Sequence, residues 1–144
     1  MKIAIASDHA AVDLRLQVTE RLEALGHEVE DFGPEPGERV DYPKYAAAVA
    51  GAVVAGDAEA GVLLCGSGIG MSIAANKVIG IRAALVHDAT TARLAREHND
   101  ANVLCLGART TGPLVALECV EAWLSAGFEV RHQPRLDQIA RMEA

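Results

Sequence analysis

The sequence has little of what several large classes of protein require. Basic residues are in the minority, with 13 Lys and Arg against 20 Asp and Glu, for a formal net charge of −7. A domain that binds nucleic acid needs a basic face, so this charge argues against that function. A small anionic ligand is not excluded, because a local cluster of arginines is enough to hold one.

Cysteines and long apolar runs are also scarce. Cys65, Cys105 and Cys119 are widely spaced and form neither a disulfide framework nor a CxxC metal pattern. No clustered set of His, Cys and carboxylate residues has the usual spacing of metal ligands either, so we expect no metal, and we also expect no cofactor. No apolar run approaches the roughly 18 residues of a membrane-spanning helix, and no signal-peptide pattern follows Met1. These absences predict a cytoplasmic protein without membrane contact.

Aromatic residues make up only 3% of the chain, whereas hydrophobic residues make up 51%, so the core should consist of Ala, Val, Leu and Ile. Short apolar runs of strand type alternate with segments of helical periodicity. The predicted strands cover residues 2–6, 28–32, 62–65, 81–86 and 102–106, and a last helix is predicted at about 134–143. This alternation is typical of a parallel sheet with helices on both faces. We predict one domain over residues 1–144, a Rossmann-like three-layer α/β/α fold with a five-stranded parallel sheet.

The stretch from Gly61 to Lys77 is the most informative part of the chain. A strand ending in Cys65 is followed by the glycine-rich turn 66–70 and by a helix predicted from Met71. The turn is neither a dinucleotide fingerprint nor a P-loop, because its third glycine comes early and no Lys-Ser/Thr follows. Cys65 is either a small buried hydrophobe or a reactive thiol beside backbone donors. Its position at the carboxyl end of a strand favours the reactive thiol.

Polar residues follow most of the predicted strands. They are Asp8 and His9 after the first strand, Cys65 after the third, His87 and Asp88 after the fourth, and Arg109 after the fifth. Because the carboxyl ends of parallel strands share one edge, these groups should converge where a ligand binds. Each has an ordinary interpretation when taken alone, since either aspartate can be a helix N-cap and His87 a surface residue.

Two further clusters lie outside this predicted edge. His98 and Asn99 close a helix at the opposite edge of the sheet, where Asn99 could supply a left-handed turn. His98 can therefore reach the thiol only from a neighbouring subunit, or if the chain bends round. We predict a homodimer with shared active sites, and further assembly into a tetramer remains open. Arg131 and Arg135 flank Pro134 and suit a phosphate group, the alternative being a solvated basic patch.

Taken together, these fragments resemble the type B ribose-5-phosphate isomerases and their relatives, the galactose-6-phosphate isomerase subunits. The matching pieces are Ser7-Asp8-His9-Ala10, Asp41-Tyr42-Pro43, the segment from Cys65 to Gly70, Ala74-Ala75-Asn76-Lys77, Arg96-Glu97-His98-Asn99, Asn102-Val103-Leu104 and Arg131-His132-Gln133. The resemblance implies isomerisation of a phosphorylated sugar between aldose and ketose without a metal. Some relatives use a Glu where this chain has Met71, and this chain resembles the group with the cysteine.

The resemblance also implies roles for single residues. Cys65 matches the catalytic base and His98 the residue that opens the sugar ring. The turn that holds the enediolate consists of Gly66, Ser67, Gly68, Ile69 and Gly70, with Ser67 where many members have Thr. Asp8 and Asn99 match sugar contacts. The phosphate contacts are His9, Arg109, Arg131 and Arg135, and Pro134 replaces a residue that is frequently polar or basic in the family.

Other functions remain open from the sequence. Ribose 5-phosphate is the first expectation for the substrate, and allose or galactose 6-phosphate and a tetrose 4-phosphate are the alternatives. A phosphosugar-binding module without catalysis would explain the fold, the turn and the arginines, but not the occurrence of both Cys65 and His98. A thiol-dependent hydrolase or transferase would use Cys65 as a nucleophile instead of a base.

Overall fold

Five strands form one parallel sheet in the computed structural model, which describes residues 1–143. The strands are β1 (Lys2–Ser7), β2 (Glu28–Asp31), β3 (Ala60–Cys65), β4 (Ala83–Leu85) and β5 (Val103–Gly107). They are arranged in the order β2-β1-β3-β5-β4, and every neighbouring pair is parallel. The strand order reverses between β1 and β3, which is the place where open α/β sheets bind their ligands.

Residues 1–143 contain six helices, and the first five cover the two faces of the sheet. They are α1 (Val12–Ala24), α2 (Tyr42–Val54), α3 (Ile69–Ala75), α4 (Ala89–Asn99), α5 (Pro113–Ser125) and α6 (Gln133–Arg141), with 3₁₀ turns at His9–Ala11 and Val130–His132. Alternate strand residues point to opposite faces. Ile3 and Ile5 pack with α1, α4 and α5, whereas Ala4 and Ala6 pack with α2 and α3. The predicted three-layer fold is confirmed. Within residues 1–143, none of the helices is both long and apolar enough to cross a membrane.

The ends of three elements differ from the sequence-based expectation. Helix α3 begins at Ile69 instead of Met71, because Gly68 takes a left-handed conformation, with φ of 77°, and starts the helix there. Strand β4 has three residues instead of six, because it is an edge strand and the Arg82 N–H donates to the Asn102 side chain instead of to the ladder. The last helix spans Gln133–Arg141 instead of 134–143.

Helix α4 has the expected cap at Asp88, but it starts at Ala89 instead of Ala92 and ends at Asn99 instead of His98. The Asp88 carboxylate caps it by accepting the Thr91 N–H at 2.7 Å, and this hydrogen bond lowers the pKa of Asp88. The left-handed residue at its end is Asp100, with φ of 45°, and not Asn99. Asp100 suits this position because its carboxylate pairs with Arg96 at 3.1 Å. Asn99 is therefore the last helical residue, with an exposed side chain.

A buried arginine holds the carboxyl end of β1 in place. Arg15 is only 3% exposed, and its guanidinium donates to Ser7 Oγ and to the Pro34 carbonyl, each at 2.7 Å. It also pairs with the Asp31 carboxylate at 3.2 Å, which compensates its buried charge. These bonds fix Ser7, and with it the next residue, Asp8.

Candidate active site

A cleft of about 650 Å³ opens at the carboxyl ends of β1, β3 and β5. Its lining residues are Asp8, Tyr42, Cys65, Gly66, Ser67, Ile69, Gly70, Ile73, Arg109 and Thr110. The structure therefore brings together Asp8, Cys65 and Arg109, from the ends of the first, third and fifth strands. His87 and Asp88 do not line this cleft, because β4 is the outermost strand and its end lies beyond β5.

The Cys65 thiol lies between the core and this cleft. The residue is 5% exposed, and its Sγ accepts the N–H of Gly68 at 3.1 Å. This hydrogen bond holds the sulfur against the start of the glycine turn. The other two cysteines are fully buried away from the cleft, and burial raises the pKa of Cys105 and raises that of Cys119 to about 11. Of the three thiols, Cys65 is the one placed for chemistry.

The glycine turn is packed tightly against the end of β5. A Cβ atom on Gly68 would lie 2.9 Å from the carbonyl carbon of Leu106, and one on Gly107 would lie 2.5 Å from the carbonyl carbon of Ser67. Within residues 1–143, the N–H groups of Gly66, Ser67 and Gly70 have no hydrogen-bond acceptor. All three residues line the cleft, so their N–H groups are available to an oxygen of a ligand.

Substitution of Gly68 by alanine tests this packing. The left-handed backbone costs a non-glycine residue about 1–2 kcal/mol, and the contact with Leu106 adds to that cost. We expect the midpoint of thermal unfolding to fall by about 5 °C or more. Gly127→Ala is the matched control, because its φ is not positive and its Cβ would meet no atom within 4 Å. Equal melting temperatures for both variants would contradict the geometry of the turn.

Asp8 combines the two roles that the sequence left open. Its Oδ1 accepts the Ala10 N–H at 2.9 Å, which is the helix cap, and the residue also borders the cleft. The neighbouring His9 is exposed and does not line the cleft, and its Nδ1 lies 3.0 Å from the Val40 carbonyl oxygen. Tyr42 and Thr110 also line the cleft, although neither is predicted as a site residue from the sequence. The fragment Asp41-Tyr42-Pro43 was the available signal for Tyr42.

A second group of functional candidates lies away from the cleft. The rings of His98 and His132 stack with centroids 4.4 Å apart and planes tilted by 34°. Arg135 Nη1 lies 3.0 Å from His132 Nδ1, and Arg131 pairs with the Glu129 carboxylate at 2.6 Å. We call these five residues the histidine cluster. Asn99 lies apart from it, on a separate cavity of about 250 Å³ beside β4.

The sheet separates the histidine cluster from the thiol within one chain. Cys65 packs in the core on the face covered by α2 and α3, whereas His98 lies near the end of α4 on the opposite face. Helix α4 also runs from the carboxyl edge of the sheet towards the amino edge. A single chain therefore does not bring Cys65 and His98 together.

Three ligand atoms of the histidine cluster are close enough to consider a metal ion. They belong to His98, Glu129 and His132 and lie within 4.8 Å of one another, a group that the sequence spacing did not indicate. Two guanidinium groups oppose a cation here, because Arg131 neutralises Glu129 and Arg135 occupies Nδ1 of His132. The arrangement fits a metal ion poorly. The absence of a metal from the reaction stays a prediction.

Residues 3–139 match the model of the family described as Ribose/Galactose Isomerase. The chain belongs to this family. Its relatives include ribose-5-phosphate isomerase B of Escherichia coli, with 46% identity over 143 residues, 99% of this chain and 96% of that protein. D-erythrulose-4-phosphate isomerase of Pectobacterium atrosepticum is 48% identical over 130 residues, which cover 90% of this chain and 86% of that protein.

Solved structures of family members have the same fold over nearly the whole chain. Ribose-5-phosphate isomerase B of Clostridium thermocellum superposes with a TM-score of 0.97 at 47% identity, covering 99% of this chain and 97% of that chain. The type B ribose 5-phosphate isomerase of Trypanosoma brucei superposes with a TM-score of 0.94 at 50% identity, covering 98% and 97%. The family predicted from the short sequence fragments is confirmed.

Proposed function

We propose that the protein is an aldose–ketose isomerase that interconverts ribose 5-phosphate and ribulose 5-phosphate through an enediolate. The observation that carries this proposal is the Cys65 thiol, which lies in the cleft beside three backbone N–H groups that have no acceptor among the described residues. The names of its relatives support the reaction class. Such an enzyme would act in the pentose phosphate pathway, in the cytoplasm.

The reaction moves one proton between two neighbouring carbon atoms. The Cys65 thiolate removes the proton from C2 of the open aldose, and the resulting thiol returns a proton to C1 of the enediolate, while the proton of the C2 hydroxyl group passes to the oxygen on C1. One base on one face of the substrate is enough for both transfers. The negative charge that develops on oxygen in between needs donors that are already in place, which the N–H groups of Gly66, Ser67 and Gly70 supply.

The proposed active site is shared between two subunits of a homodimer. His98 is the candidate acid for opening the sugar ring, and it lies across the sheet from Cys65 in its own chain. A second copy can supply it, together with Asn99, Arg131 and Arg135. Ile69 and Ile73, one helical turn apart beside the cleft, are 52% and 57% exposed and offer that copy an apolar surface. In this arrangement Asp8 binds the sugar, while His9 and Arg109 join the arginines of the partner at the phosphate.

A second substrate class deserves a direct comparison, because a relative named for a four-carbon sugar phosphate is as similar as those named for ribose 5-phosphate. We expect ribose 5-phosphate to have the highest kcat/KM among four-, five- and six-carbon aldose phosphates, including allose and galactose 6-phosphate.

Activity should be unchanged after prolonged EDTA treatment, because the proposed reaction uses no metal.

Solvent deuterium distinguishes this reaction from the alternatives. In D2O, an isomerase introduces deuterium at the carbon that receives the proton. A hydrolase leaves an acyl or phosphoryl adduct on Cys65, and a binding module produces neither result. A higher kcat/KM with a tetrose or hexose phosphate would change the substrate assignment. Failure to exchange deuterium into any of these sugars would refute the isomerase itself.

A further inference from the structure

His132 differs from its basic neighbours in being buried. Its side chain is 9% exposed, whereas that of Arg131 is 67% exposed. We propose that His132 is a positioning residue that fixes both His98 and Arg135, holding one by its ring face and the other by its Nδ1 atom. The inference rests on the proposed function, which assigns ring opening to His98 and phosphate binding to Arg135.

The contact with Arg135 determines which nitrogen of His132 carries the proton. A guanidinium group can only donate hydrogen bonds, so His132 Nδ1, 3.0 Å from Arg135 Nη1, must be the acceptor. The proton of the neutral ring therefore lies on Nε2. That atom is buried without a hydrogen-bond partner among the described residues, and the nearest carboxylate oxygen, on Glu129, is 3.6 Å away. The tautomer leaves Nδ1 free to hold Arg135.

The surroundings of His132 keep its ring neutral. Burial lowers the pKa of His132, and the charges of Arg131, His98 and Arg135 lower it further, against the opposing effect of Glu129. Protonation at Nδ1 would also remove the acceptor for Arg135. A neutral His132 ring places no positive charge beside His98, whose ring centroid is 4.4 Å away.

Backbone hydrogen bonds fix the distance between the two histidines. The Glu129 N–H donates to the Glu97 carbonyl at 2.8 Å, next to His98 on α4, and the His132 N–H donates to the Glu129 carbonyl at 3.0 Å. The segment that carries His132 is thus attached to the helix that carries His98. Arg135 is exposed on the first turn of α6, behind Pro134, and its hydrogen bond to His132 restricts where its guanidinium points.

Two substitutions separate the two contacts. His132→Phe keeps an aromatic ring against His98 and removes the acceptor for Arg135. We expect it to raise KM for ribose 5-phosphate about three- to tenfold with kcat nearly unchanged, because one aligned phosphate contact is weakened. The inhibition constant of inorganic phosphate should rise by the same factor. Adding Arg135→Ala to this variant should raise KM less than Arg135→Ala does in the wild type.

His132→Asn has the complementary effect. Its side-chain amide can place an acceptor near the position of Nδ1, but the ring face is lost. We expect kcat for ribose 5-phosphate to fall about tenfold with KM nearly unchanged, because a misplaced general acid loses much of its contribution. Ribulose 5-phosphate cannot close into a five-membered ring, because the oxygen on C5 carries the phosphate. Exchange of its C1 hydrogen with D2O therefore requires no ring opening. That exchange should stay close to the wild-type rate.

Several results would overturn the inference. A general loss of structure would reduce exchange, kcat and phosphate binding together in both variants, and wild-type kinetics in both would exclude a positioning role. If neither variant folds, ¹⁵N NMR of the unaltered protein tests the positioning role. A proton on Nδ1 of His132 would refute that role. An Nδ1 signal that is the same in the wild type and in the Arg135→Ala variant would also refute it. If the wild-type protein isomerises no sugar phosphate, the proposed function fails, while the NMR and phosphate measurements still test the contact between His132 and Arg135.

Discussion

Replacement of Cys65 by alanine is expected to lower kcat for ribose 5-phosphate by about 10³-fold or more, the upper part of the range for loss of a general base. The reason is geometric. Cys65 is the one cysteine in the cleft, and its Sγ accepts the Gly68 N–H. Among the described residues, the N–H groups of Gly66, Ser67 and Gly70 in the same turn have no acceptor, so they are free for the enediolate oxygen. Removal of the thiol leaves these donors in place without a base, so the variant should still fold and bind the sugar phosphate.

Deuterium exchange and alkylation provide the measurements for this prediction. The Cys65→Ala variant should lose exchange at C2 of ribose 5-phosphate along with isomerisation. Cys119→Ala is the control, because it removes a buried thiol from the core formed with α5. In the wild type, iodoacetamide should modify Cys65 before the other cysteines, since burial raises the pKa of Cys105 and Cys119. Bound sugar phosphate should slow that modification. Near-normal exchange in Cys65→Ala would assign the base to another residue.

The sequence was sufficient to predict the centre of the cleft. Asp8, Cys65 and Arg109 each follow an apolar run, and the ends of parallel strands share an edge, so local pattern and one rule of topology place them together. The same reasoning wrongly places His87 and Asp88 at the cleft, because the local pattern and the shared edge do not reveal the order of the strands in the sheet. That order depends on the pairing of β3 with β5, which leaves β4 at the edge.

Side-chain surroundings were the part that the sequence could not provide. His132 reads as one polar residue in a basic run, and its burial against His98 arises only when the segment after α5 folds back onto α4. Tyr42 reads as a helix start, whereas its ring packs against Gly70 and borders the cleft. Asn99 and Asp100 both tolerate a left-handed conformation, so the choice between them depends on the ion pair that Asp100 makes with Arg96.

Mixing inactive subunits should restore activity if the active site is shared. In a symmetric dimer, a subunit carrying Cys65→Ala still supplies an intact His98, and a subunit carrying His98→Ala still supplies an intact Cys65. Each mixed dimer then contains one site with both residues and one site with neither. Random mixing in equal amounts makes half of the dimers mixed, so the preparation should reach about a quarter of the wild-type activity.

The control for this experiment is a mixture of Cys65→Ala with Cys65→Ser, in which every site lacks the thiol and no activity should return. Native mass spectrometry of differently tagged subunits verifies that mixed dimers have formed. Mixed dimers no more active than their parents would show that Cys65 and His98 do not act in one shared site. That result would require the chain to bring His98 across the sheet to its own cleft, although in the structure α4 and the thiol lie on opposite faces. Restored activity would instead assign the ring-opening histidine to the partner, which is the result that we expect from the separation of the cleft and the histidine cluster.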